Sequence, residues 1–296
     1  MAGSTLPRRA LGRKLRDLRS RAGKSQLAAG LSIDTSKQTI GRLEDGQSVR
    51  LSTPNMNALL DFYGADEDSR TEVIGLLQEV KAAKGDPSGG WWRAYADVVN
   101  SHFDHFMNLE QACNRLVSFQ LTLLPGLLQA PTYRRWLVET NDPAMSAVDV
   151  ERRLELTARR QHRLTEDTGF SLDVMLSESA LRHQVGGRAV MAEQLQHLIE
   201  VGSLPNVSIR VIPFGVGGHP GLVVQSFTLF EFPPLSASRM TEPPVVFVEG
   251  FTGSLFLEED DVIDRHRAVV ADLRQVALSA ADTRRLVREI AEEYAA

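Results

Sequence analysis

A single cysteine, Cys113, rules out an internal disulfide and fits a reducing, cytoplasmic setting. No apolar run approaches the length of a membrane-crossing helix, so no membrane association is expected. The basic N-terminus has no apolar segment behind it, which argues against a secretory signal. Internal repeats and low-complexity tracts are also lacking. What is present is 296 residues with 43% apolar content, an ordinary globular composition with room for two domains.

Charge is unevenly spread. Residues 1–50 hold 11 Lys and Arg against 4 Asp and Glu, a net of +7; the remainder holds 22 against 34, a net of −12. Basic segments attract phosphates and acidic ones repel them. The split predicts a nucleic-acid-binding head on a body kept off DNA.

The stretch SQLAAGLSIDTSKQTIGRLEDG, residues 25–46, is the most informative. It reads as two short helices joined by a tight turn. A helix over about 10–22 precedes it, with Leu11, Leu15 and Leu18 on one face and Gly23 as the stop. Ser25 suits an N-cap, and Ala29, Gly30 and Ile33 form the inner face of the second helix. Asp34 and Thr35 make the turn, since Asp tolerates a left-handed backbone. Ser36 caps a third helix, Ile40 and Leu43 turn it inward, and Asp45-Gly46 ends it. Thr53-Pro54 opens a fourth helix with a cap and an early proline, and its apolar set is Met56, Leu59, Leu60 and Tyr63. A fifth, over about 69–84, carries Val73, Ile74, Leu77 and Val80.

In a helix-turn-helix the second helix of the motif enters the major groove. With Ile40 and Leu43 buried, Lys37, Gln38 and Arg42 face outward as base-reading candidates. Lys and Arg suit guanine O6 and N7; Gln suits adenine N6 and N7. Gln26, Ser36 and Thr39 are better placed for phosphates, and Gln47, Ser48 and Arg50 follow in a loop that can grip the backbone. One such head covers a half-site, so a homodimer on double-stranded operator DNA is expected.

Five short helices, with Ser25-Gln26 opening the second and residues 36–46 forming recognition helix plus stop, resemble the lambda-repressor-like, XRE-type DNA-binding domain. The resemblance implies that Lys37 and Gln38 meet base edges and that Arg42 makes a further base or phosphate contact. Two positions depart from the pattern. Gly30 stands where the family usually places alanine, and glycine costs about 1 kcal/mol in a helix interior. Asp34 replaces the more usual turn glycine. The competing reading of this region is a helical protein-docking bundle with no DNA role.

Beyond the head, KGDPSGG at 84–90 is a turn-rich break. The expected organisation is a helix-turn-helix domain over 1–84, a linker over 85–90, and a C-terminal regulatory or partner-binding domain over 91–296. Helical patterns are expected over about 96–115 and 148–165, with an extended run near 117–123 and a short helix from Pro131. Strands follow near 170–176, 207–213 and 222–232, then a hairpin over 245–251 and 253–257. Helices near 177–185, 190–201, 261–277 and 281–294 flank them. The class is α+β: the five-helix head, a helical segment, and a small mixed β-sheet flanked by helices.

The segments GWWRAYADV, NLEQACNRLVSFQ, LLPGLLQAPTYRR, LSESALRHQVGG, LPNVSIRVIPFGVGGHPG and VVFVEG, in this order, are similar to one group of actinobacterial regulators. These join an XRE-type head to a large C-terminal domain of unknown function and form a WhiJ-like, antitoxin-like group. The resemblance implies a cytoplasmic transcription regulator and a small partner protein that modulates it. It supplies no ligand.

Signs of other chemistry are weak. The His102-x-x-His105 spacing has no second pair of metal ligands, and no metal or cofactor is expected. FGVGGHPG, residues 214–221, lacks the phosphate-loop pattern and reads as a flexible hairpin or pocket lip. Glu178, Glu249 and His219 could be drawn as an acid/base set, but nothing in the sequence groups them, so no catalytic residues are assigned. Cys113 reads as a buried structural thiol. Trp91, Trp92 and Tyr95 form an aromatic cluster that serves either core packing or an effector or partner surface. Three functions compete. The first is a sequence-specific regulator whose C-terminal domain senses a small molecule or binds a small partner protein. The second is an antitoxin-like protein that captures a partner and autoregulates its operon. The third is an enzyme with a DNA-targeting head.

Overall fold

A computed structural model describes residues 6–84, 90–99, 103–235 and 241–296. The expected linker, save Gly90, and His102 lie outside the described residues. The chain forms two compact units. The first comprises Met1–Ala96, Asn100–Ala112 and Phe232–Glu242; the second comprises Asp97–Val99, Cys113–Glu231 and Pro243–Ala296.

The first unit is built on α1 (Leu6–Arg21), α2 (Gln26–Ser32), α3 (Lys37–Glu44), α4 (Thr53–Tyr63) and α5 (Glu67–Lys84). α1 starts earlier than expected, because Leu6 is itself buried and extends the apolar face. The cap of α4 is Ser52, not Thr53: its side chain accepts the Asn55 N–H and leaves Thr53 inside the helix. Ala10, Leu11, Leu15, Ala29, Ile40, Met56, Leu59, Leu60, Val73 and Leu76 fill one continuous core. Leu76, absent from the periodic set read for α5, is fully buried there.

Two glycines fix how closely these helices approach. A Cβ on Gly12 would lie 2.6 Å from both the Leu43 and Glu44 carbonyl oxygens, so α1 can cross α3 only without a side chain there. A Cβ on Gly30 would lie 2.8 Å from the Thr35 carbonyl oxygen. The glycine at position 30 therefore removes a clash with the turn, which offsets its helix-propensity cost.

The aromatic cluster also belongs to this unit, in a 3-10 turn over Trp91–Tyr95, followed by α6 (Phe103–Ala112). Of the helix expected over 96–115, residues 96–99 form turn and bend instead, and α6 ends at Ala112. Asn114 is drawn into the sheet, where its N–H meets the Glu231 carbonyl and its own carbonyl accepts from Ser171.

The second unit holds a six-stranded mixed sheet in the order β3-β2-β1-β4-β5-β6. Its strands are β1 (Arg115–Gln120), β2 (Ser171–Ser177), β3 (Val207–Ile212), β4 (Phe227–Glu231), β5 (Val245–Gly250) and β6 (Gly253–Leu257). β1 pairs parallel with β2 and β2 with β3; the remaining pairs are antiparallel. The extended run expected near 117–123 is β1, which starts earlier, at Arg115, and is an interior strand of that sheet. Parallel neighbours require crossovers. α7 (Pro131–Asn141), α8 (Ala147–Gln161) and the short α9 (Arg163–Glu166) link β1 to β2. α10 (Ser179–Arg182) and α11 (Arg188–Val201) link β2 to β3. The strand expected over 222–232 starts only at Phe227, because Pro220–Leu222 folds as a 3-10 turn whose proline fixes φ.

Alternation along β1 sends Val117 and Phe119 to one face. There they join Met175, Phe227, Leu229 and Val246, covered by Ile263, Val270 and Leu273 of α12 (Asp260–Val276). The chain closes with α13 (Ala280–Ala295), which packs on α11. Cys113 is buried, with the Arg163 guanidinium 3.8 Å from its sulfur.

Candidate DNA-binding interface

α2 and α3 are each held at the N-terminus by a serine. Ser25 Oγ accepts the Ala28 N–H at 3.1 Å, and Ser36 Oγ accepts the Thr39 N–H at 3.1 Å. Between them Asp34 has a φ of 51°, the left-handed turn that a short polar side chain tolerates. The connection is closed by the Thr35 N–H donating to the Gly30 carbonyl at 2.8 Å.

α3 is anchored by Ile40, fully buried, and Leu43, 7% exposed. At 100° per residue this sends Lys37, Gln38 and Arg42 outward, and all three are exposed. Ser36, Ser48 and Arg50 are exposed as well, whereas Gln26, Thr39 and Gln47 are half-buried. Thr39 Oγ1 lies 2.9 Å from Ser36 Oγ within the cap. Gln26 is already engaged: its Nε2 donates to Glu44 Oε2 at 2.9 Å. Gln47 and Arg50 also line a cavity of about 400 Å³ floored by Leu11, Leu43, Met56 and Leu77.

The last residue of α3, Glu44, carries no local signal of its structural role. Glu44 is 2% exposed, and its carboxylate takes a two-pronged pair from Arg19 of α1 together with the amide of Gln26 of α2. A buried charge needs this degree of satisfaction. It also ties three helices at one point, which fixes how α3 stands on the head. Burial, and then the Glu44 carboxylate, push the Tyr63 phenol up to about 12, against the opposing pull of Arg19. The pairing with Glu44 holds the Arg19 guanidinium above its ordinary value.

A second buried carboxylate in this unit comes from far along the chain. Glu242 is 1% exposed and pairs with Arg9 and Arg13 of α1, while Leu235 packs against the helical core. No periodicity or motif marks residues 232–242 as belonging to this unit.

Of the aromatic cluster, Trp92 and Tyr95 are buried and Trp91 is half-buried. Trp92 Nε1 donates to Asp104 at 2.8 Å, so this indole is held inside the unit. In the second unit Glu178 receives Arg182 at 2.6 Å and the Phe214 N–H at 2.9 Å, and Glu249 is exposed on β5. No group of three or more His, Cys, Asp and Glu suited to a metal occurs among the described residues. No helix among them is long and apolar enough to cross a membrane.

Residues 10–73 match the family described as a helix-turn-helix domain. Residues 103–289 match the domain of unknown function DUF5753, a span of more than half the chain. The chain belongs to the DUF5753 family. No curated protein and no solved structure matches it. This DUF5753 protein carries at its N-terminus the helix-turn-helix of DNA-binding regulators. All six strands of the sheet fall within the DUF5753 match, which also takes in α6 of the first unit.

Proposed function

We propose that this protein is a sequence-specific transcriptional regulator. In this reading Lys37, Gln38 and Arg42 read base edges, and Gln26, Ser36, Thr39, Gln47, Ser48 and Arg50 hold phosphates. The observation that carries it is the division of α3. Ile40 and Leu43 are taken up in packing, and the exposed face offers two cations and one amide, the side-chain types that pair with base edges in the major groove. The protein works as a homodimer on paired half-sites in the cytoplasm. Its C-terminal domain senses a small molecule or binds a small partner protein. Within the phosphate-holding set Gln26 acts chiefly through Glu44, since its amide is occupied there.

The test is binding of the purified protein to its own promoter region and to random DNA across a salt series. A large preference that is lost when Lys37 and Gln38 become alanine supports the reading. Equal, steeply salt-dependent binding to both DNAs would overturn it, because phosphate neutralisation alone has that signature.

A further inference from the structure

α7 and α8 of the second unit pack together, and the charges of Arg153 and Arg160 on α8 are felt at Arg134 on α7. Arg153 and Arg160 are seven residues apart on α8 and so share a face. Thr157, buried, lies between them on that face. Arg160 is 6% exposed, and its guanidinium rests on the turn that leads into α7: a Cβ on Gly126 would lie 3.0 Å from Nη1. Gln161 pins the same turn by donating to the Gly126 and Gln129 carbonyls. From the other side comes Arg134 of α7, whose Nε is buried and has no hydrogen-bond partner among the described residues.

A buried guanidinium nitrogen without an acceptor costs free energy, and like charges beside it add to the cost. Burial, then Arg160 and Arg153, lower the Arg134 guanidinium to about 10, with Glu249 the opposing carboxylate. Arg153 is likewise lowered by burial, with Asp142 and Asp149 opposing. Arg153 Nε donates to the Val98 carbonyl, which leaves its fork only in part committed. Two further buried atoms at the head of α7 lack partners, Gln129 Oε1 and Thr132 Oγ1. The N-terminus of α7 carries no side-chain cap, so its first-turn N–H groups and dipole favour negative charge there.

We propose that the α7–α8 seam is an oxyanion site for the phosphate group of a small ligand, with Arg134 as its central contact. Phosphate fits better than a carboxylate because two negative charges answer a cluster of three cations more fully than one. This rests on the reading of the second unit as a sensor and names the chemistry it senses. A planar fork with a vacant buried donor matches the tetrahedral face of a phosphate ester in a way that a lysine would not.

The experiment uses the full chain with inorganic phosphate and pyrophosphate as probes, at ionic strength held constant with chloride. Thermal shift and calorimetry are expected to show saturable binding of at least one probe. Arg134→Met is expected to weaken it about tenfold or more, the loss of one charge-assisted contact. Arg134→Lys, which keeps the charge and the fold, should weaken it too. Arg135→Met is the control: Arg135 neighbours Arg134 on α7 but is already paired with Glu151 of α8 at 2.7 Å, so its loss should leave binding unchanged. Absence of saturable binding to either probe, or equal binding by wild type and both Arg134 variants, would overturn the site. DNA affinity measured with and without the bound probe separates the two claims. Binding that depends on Arg134 with no change in DNA affinity supports the site and overturns the sensor reading alone.

Discussion

Arg19 and Glu44 lie 25 residues apart and meet as a buried two-pronged pair, Nε to Oε1 at 2.5 Å and Nη2 to Oε2 at 2.9 Å. The pair joins α1 to the end of α3. Arg19→Ala leaves Glu44 with Gln26 and with Arg16 at 3.7 Å, too little to satisfy a carboxylate that is 2% exposed. The expected cost is roughly 2–4 kcal/mol, read as a lower unfolding midpoint of the full chain. A midpoint within experimental error of wild type would show that the pair does not anchor α3.

Gly12 and Gly75 should respond in opposite directions to alanine. At Gly12 the new methyl meets backbone carbonyls at 2.6 Å, so α1 and α3 must separate and both stability and DNA affinity fall. At Gly75, within α5, a Cβ meets nothing within 4 Å, and alanine should gain about 0.5–1 kcal/mol of helix propensity. Parallel thermal melts of the two variants decide this.

Gln38→Ala should cost about 1–3 kcal/mol on the cognate operator and relax specificity at one base position. Binding measured against a panel of single-base operator variants tests it. Uniform weakening on every sequence would remove the base-reading role.

Arg50→Ala acts through phosphate instead. It should weaken binding to all sequences and flatten the slope of log affinity against log salt by about one unit. A slope unchanged from wild type would take Arg50 out of the interface.

Tyr63 makes stability fall at alkaline pH. Its phenol is raised from near 10 to about 12 in the folded chain, so the folded state holds this proton more tightly. The stabilisation is fully present below pH 10 and is lost as pH rises from there through about 12, on the order of 2–3 kcal/mol in total. Tyr63→Phe should remove this part of the alkaline dependence in melts across that range.

The helix-turn-helix was legible because its signals are local. Caps at Ser25 and Ser36, the left-handed turn at Asp34, and the burial of Ile40, Leu43, Met56, Leu59 and Leu60 follow from residue type and spacing within a few positions. The outward face of α3 follows directly from those buried positions. Gly30 was legible as a departure, but its reason was not. The clash it avoids is with the Thr35 carbonyl, a contact set by how tightly the turn folds back.

The second unit was legible as strands and helices but not as a sheet order. Propensity marks β1 as extended, yet nothing local places it between β2 and β4 with a parallel and an antiparallel neighbour. Pairing is a property of two segments, and here they lie more than fifty residues apart.

The sequence by itself determined the capped helices of the head, their apolar faces, the outward position of Lys37, Gln38 and Arg42, and the α+β class. Those features depend on backbone preferences and on periodicity within one element. Tertiary structure alone decided that Glu44 is buried between Arg19 and Gln26, that Gly12 must lack a side chain, that Glu242 returns to α1, and that the Arg134 Nε is buried without an acceptor. In each case the partner lies on another element, and the free energy of a buried charge or close contact depends on what the fold brings beside it.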